Sequence, residues 1–152
     1  MTGLHEKSVS SKHGITYYWT NIIQSDIALV LLPGLTADHH LFETQISCFE
    51  DEFKVLVWDC PCHGKSRPYD EFTYANVCSE LDCILGIEGI DRAIFIGQSL
   101  GGMIAQYYID QHPTKAIGFI SVDSVPFGDY YSKSDLFWLT QLEWMCKLFP
   151  NK

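Results

Sequence analysis

The stretch Ile94-Phe95-Ile96-Gly97-Gln98-Ser99-Leu100-Gly101-Gly102-Met103 decides how this chain reads. Ala93–Ile96 is an unbroken apolar run, as in a strand covered on both faces. Ser99 to Tyr108 has helical character, and Pro113 lies just past its end. Gly-x-Ser-x-Gly therefore falls where a buried strand turns straight into a helix. Such a turn is sharp enough to strain its centre, and the residues two positions either side must be small, which Gly97 and Gly101 satisfy. The strain pushes the central hydroxyl out above the sheet, over the N-terminal amides of the helix. The pattern predicts Ser99 as a nucleophile and the Leu100 N–H as a donor to an oxyanion formed on the attacked carbonyl. A generic tight turn with an incidental serine is the plainer alternative. The flanking strand and helix, and the extra Gly102, count against it.

Working outward, the chain alternates strand and helix. His5–Ser10 and Ile15–Thr20 read as short strands around a turn at His13–Gly14, forming an antiparallel edge. Ala28–Leu32, Phe53–Trp58 and Ile117–Val122 read as further buried strands. Asp38 and Thr73 are placed to cap helices, the first with Phe42, Ile46 and Phe49 on one stripe, the second with Val77, Leu81, Ile84 and Leu85. Repeated strand–helix units with doubly buried strands predict a three-layer α/β/α sandwich on a mostly parallel sheet of about six strands.

Two more segments bear on chemistry. Leu31-Leu32-Pro33-Gly34-Leu35-Thr36 leaves an earlier strand and enters a helix, where a second oxyanion donor belongs. Trp58-Asp59-Cys60-Pro61-Cys62-His63-Gly64-Lys65-Ser66-Arg67-Pro68 follows the next strand. Gly64-Lys65-Ser66 ends like a phosphate-binding loop, but the glycine needed at position 59 is Asp59. Cys60, Cys62 and His63 lack a second ligand pair at a zinc spacing, so no metal site is assigned, and nothing calls for a cofactor. A nucleotide-binding reading needs Gly-x-Gly-x-x-Gly after a strand, which this chain does not have.

With these three segments in this order, the chain resembles the α/β-hydrolase superfamily over nearly its whole length. The resemblance implies an acyl-enzyme formed on Ser99 from a small carboxylic ester, thioester or lactone. It implies an oxyanion hole from the N–H groups of Leu35 and Leu100, an elbow built on Gly97 and Gly101, and a structural role for the Asp59–Ser66 loop. Pro33 stands where the family usually has histidine, which removes local hydrogen bonding but not the donor. The family order is serine, acid, histidine. Asp123 ends the fourth buried strand and is read either as the acid or, with more weight, as a strand-end residue capping the next turn. After Ser99 the only histidine is His112, carried about 18 Å away by the helix at ~1.5 Å per residue. His39 and His40 are nearer but break the order, and are read as solvated or pocket-rim residues.

By comparison with the family, the chain reads as an N-terminal portion: a core over 1–126 that lacks the last two strands, then the start of a helical cap over 127–152. The alternative to an active enzyme is a catalytically silent fragment that needs a partner or a missing C-terminal part. Either way the last strand's apolar edge and the aromatic tail, Leu136–Phe149, are expected to drive self-association or to need a partner. Acidic residues outnumber basic ones 19 to 10, a net charge of −9 that argues against nucleic acid as partner. No apolar run spans a membrane, no export signal opens the chain, and the six cysteines form no CxxC pair, so reduced thiols and a cytoplasmic location are expected.

Overall fold

The computed structural model describes residues 3–126. The expectations for the tail helix and for a boundary at residue 127 lie outside the described residues. Within them, the strands are β1 (His5–Ser10), β2 (Ile15–Thr20), β3 (Ala28–Leu32), β4 (Lys54–Trp58), β5 (Ala93–Gln98) and β6 (Ala116–Val122). The α-helices are α1 (Glu43–Phe49), α2 (Tyr74–Ile87) and α3 (Leu100–Gln111). Short 3₁₀ turns cover His39–Phe42 and Pro113–Lys115.

The strands form one sheet in the order β1-β2-β4-β3-β5-β6. β1 and β2 pair antiparallel, as do β2 and β4, while β4, β3, β5 and β6 run parallel. The alternation within β3 explains its continuous apolar run. Val30 and Leu32 face one layer with Leu56, Trp58 and Phe95, against α2 and α3. Leu29 and Leu31 face the other with Val55 and Val57, against Phe42 and Ile46 at the start of α1 and before it. The step from β3 to β4 and the steps from β4 to β5 and β5 to β6 go in opposite directions. Crossovers of one hand therefore put α1 on one face and α2 and α3 on the other.

Thr73 caps α2 as the sequence predicts, whereas Asp38 caps the 3₁₀ turn His39–Phe42, and α1 itself, with Phe42 at its N-cap position, has no side-chain cap. The Asp38 carboxylate accepts from the His40 N–H, and the Thr73 hydroxyl accepts from the Asn76 N–H at 3.1 Å. Asn21, just past β2, does more than its position suggests. Its amide donates to the carbonyls of Glu50 and Phe53, and its oxygen accepts from the Val55 N–H, so it ties the end of α1 to the start of β4. Two further expectations need correction. Phe49 is 40% exposed, because the buried stripe of α1 ends at Ile46. β6 is not covered on both faces among the described residues: Ile117, Phe119, Ile120 and Val122 are 37–51% exposed. As an edge strand it has a neighbour on one side only among the described residues. The five described cysteines, Cys48, Cys60, Cys62, Cys78 and Cys83, are free thiols. No described helix is long and apolar enough to cross a membrane.

Candidate active site

The order of the sheet reverses direction at β3, and a ligand crevice in such sheets opens beyond the carboxyl ends of the strands at that point. Leu32 at the end of β3 pairs with Gly97 near the end of β5, and Gln98 pairs with Val122 at the end of β6. Three chain turns thus emerge side by side.

Ser99 is the junction between β5 and α3, with φ +50° and ψ −114°. That combination lies outside the regions open to side-chain-bearing residues and costs of order 1–3 kcal/mol. The surroundings hold it there from both sides. The Ser99 N–H donates to the Val122 carbonyl at 2.9 Å. The Ser99 carbonyl accepts from the Gly102 and Met103 N–H groups at 3.0 and 3.2 Å and from the Ser124 hydroxyl at 2.9 Å.

The glycines around the serine are required by space. A Cβ on Gly97 would stand 2.5 Å from the backbone of Gly102. One on Gly101 would overlap the Leu32 carbonyl, and one on Gly102 would stand 2.6 Å from Ser124. The loop after β3 is packed equally tightly, since a Cβ on Gly34 would collide with the Gln98 side chain. The elbow and the Pro33–Thr36 loop are therefore in direct contact. Within that loop the Ala37 N–H closes a turn onto the Gly34 carbonyl at 3.2 Å. Among the described residues the Leu35 N–H makes no backbone hydrogen bond. Leu100 opens α3, where the first N–H groups have no partner within a helix. The Leu35 side chain is 53% exposed.

Ser124 was not a sequence candidate. It lies 25 residues from its partner, and only the pairing of β6 with β5 brings the two together. Asp123 follows β6, one strand over from the serine, exposed and at φ +48°.

The histidines fall elsewhere. His112 ends α3, with its ring 4.6 Å from that of Tyr108. His39 is a correction: it is buried, neither solvated nor on a pocket rim. Its ring stacks on Trp19 at 3.5 Å, its Nδ1 lies 2.7 Å from Asp59 Oδ1, and its N–H donates to the same oxygen. His40 is exposed, and its ring lies 3.9 Å from that of His39, tilted by 38°. Burial opposes ionisation of Asp38, but the His40 N–H and ring outweigh it and hold that carboxyl below its usual range. Trp19 lies on β2 and Asp59 follows β4, three and two strand spacings from β5, or about 14 and 10 Å. Among the described residues no hydrogen bond joins a histidine to Ser99.

Asp59 also accepts from the Lys65 N–H at 2.7 Å, its carbonyl accepts from the Ser66 hydroxyl at 2.7 Å, and a Cβ on Gly64 would collide with its carboxylate. The carboxylate is thus consumed in shaping the 59–66 loop.

A strained serine between a parallel strand and a helix, beside a second turn at the switch point of a doubly wound sheet, defines a class of hydrolase-like proteins. A family profile described as alpha/beta hydrolase fold matches residues 27–151, and the chain belongs to that family. It is 28% identical over 110 residues to the pimeloyl-[acyl-carrier protein] methyl ester esterase of Wigglesworthia glossinidia brevipalpis, a match covering 72% of this chain and 41% of that protein. It is 26% identical over 106 residues to 3-oxoadipate enol-lactonase 1 of Acinetobacter baylyi, covering 69% and 40%. Among solved structures, Est816, described as an N-acyl homoserine lactone degrading enzyme, superposes with a TM-score of 0.71 at 25% identity, covering 78% of this chain and 45% of that one. A putative lipase from Acinetobacter baumannii shares the fold with a TM-score of 0.77 at 22% identity, covering 95% and 53%. The matches span about two-fifths of the length of these curated relatives.

Proposed function

We propose that this chain carries the nucleophile and oxyanion half of a hydrolase site for small carboxylic esters or lactones. Ser99 attacks the acyl carbonyl, the bond to the leaving alcohol breaks, and water later releases the acid. The N–H groups of Leu35 and Leu100 stabilise the oxyanion. The observation that carries this reading is the backbone of Ser99, held at φ +50° by bonds to Val122, Gly102, Met103 and Ser124. The ester- and lactone-cleaving relatives support the substrate class.

A serine nucleophile needs a base, and among the described residues no histidine is bonded to Ser99. The base therefore comes from a polypeptide segment other than residues 3–126, whether of a longer chain or of a partner. Residues 3–126 then retain only what an oxyanion hole and binding supply, roughly 10³–10⁴ over water.

Hydrolysis of p-nitrophenyl acetate by the 152-residue chain tests this. Slow turnover, nearly flat in pH around 6.5 where a histidine base titrates and lost in Ser99→Ala, is expected. Turnover that survives Ser99→Ala would overturn the assignment of the nucleophile. Fast turnover abolished by His39→Ala would overturn the assignment of the base.

A further inference from the structure

The Trp19–His39–His40 stack is absorbed neither by the acyl chemistry nor by the shaping of the Asp59 loop. A ligand atom from each of Asp38, His39 and His40 lies within 4.8 Å of the others. Each imidazole has a carboxylate oxygen at its Nδ1: Asp59 at 2.7 Å from His39 and Asp38 at 3.0 Å from His40. The Asp59 contact occupies His39 Nδ1, which leaves Nε2 as that ring's ligand atom. A carboxylate behind the imidazole, as Asp59 stands behind His39, orients a metal-binding histidine and raises its basicity. The Glu43 carboxylate lies 3.9 Å from His40 Nε2 and supplies a further oxygen. Three carboxylates, Asp38, Glu43 and Asp59, thus surround the two rings. Lys65, which lies over Trp19, is paired with Glu6.

We propose that Asp38, His39 and His40 bind one divalent transition-metal ion of the zinc, nickel or cobalt class. Two imidazoles and one carboxylate suit these ions and not magnesium. The site lies toward β2 and β4, away from the strand that ends at Ser99, so the ion takes no part in acyl transfer. It pins the turn that follows the Leu35 loop to the sheet. His39 is preset by the Trp19 ring and Asp59. His40, exposed at the surface, turns out of its 3.0 Å contact with Asp38, which frees that carboxylate to bind the ion beside it.

Trp19 is in van der Waals contact with the His39 ring, which gives a direct readout. Ni²⁺ added to the full chain is expected to quench the Trp19 share of the fluorescence, saturating at one ion per chain and reversing with EDTA. Mg²⁺ is expected to do nothing. His40→Ala, an exposed position at which the fold survives, is expected to weaken the Ni²⁺ midpoint by about tenfold or more, the scale lost with a partner in a metal shell. In wild type the ion raises the unfolding midpoint, because it binds the folded chain. Absence of saturable quenching in wild type would overturn the proposal. So would a His40→Ala variant that is folded by circular dichroism and binds Ni²⁺ as wild type does.

Discussion

Ser99 pays for its conformation through its neighbours: four backbone or side-chain bonds fix the two peptide groups that flank it. The close approach of α3 to the end of β3 leaves no room for a methyl group at position 101. Gly101→Ala is therefore expected to destabilise the chain by about 3 kcal/mol, the upper range for overpacking, as read by urea unfolding. Any variant that still folds should lose acylation of Ser99, because the relaxation that admits the methyl moves the turn. A chain as stable and as reactive as wild type would show that the turn is looser than described. The elbow was legible because its glycines are forced by local geometry within five residues of sequence. Ser124 was not, because nothing near it in sequence hints that its hydroxyl meets the Ser99 carbonyl.

Between elements, Glu88 acts as a hub where α2 ends. Its carboxylate accepts from Lys7 on β1, Tyr18 on β2 and Lys54 on β4, at 2.8, 2.8 and 3.3 Å. Burial alone would raise its pKa, but these donors outweigh burial and lower it from 4.5. A depressed carboxyl stabilises the fold above its unfolded pKa, and this stability is lost as pH falls through the folded value. Stability is thus expected to fall below about pH 4.5, with Glu88→Gln losing part of that slope in denaturant titrations at pH 3–7. At pH 7, Glu88→Ala leaves the Lys54 ammonium, 12% exposed, without its carboxylate and should cost about 3 kcal/mol. An unchanged slope and a loss under 0.5 kcal/mol would contradict the hub. Strand positions were readable because buried parallel strands are apolar on both faces. Glu88 and Asn21 were not, because their partners lie up to 81 and 34 residues away and polar anchors carry no periodicity. The apolar run in β6 was misread as buried for a related reason: an unbroken apolar run does not show whether a layer covers each face.

At the scale of the molecule, the fold puts the Ser99 turn and the Pro33–Thr36 loop at one end of the sheet and, among the described residues, an apolar strand at its edge. Ile117, Phe119, Ile120 and Val122 are each at least 37% exposed on β6, which pairs on one side only among the described residues, and unpaired strand edges template association. The net charge of −9 resists this only over the ~8 Å that physiological salt leaves unscreened. Sedimentation at micromolar concentration is expected to show mass rising with concentration, and Ile120→Lys to lower it. A wild-type monomer across that range would show that β6 is covered.

The central claim, that Ser99 is the acyl nucleophile, is tested most directly by covalent modification with a serine-directed fluorophosphonate and peptide mapping by mass spectrometry. The account predicts one modified peptide, the one containing Ser99, with no modification in Ser99→Ala or in the urea-unfolded chain. Modification centred on another serine, or labelling of Ser99 that persists when the chain is unfolded, would contradict it.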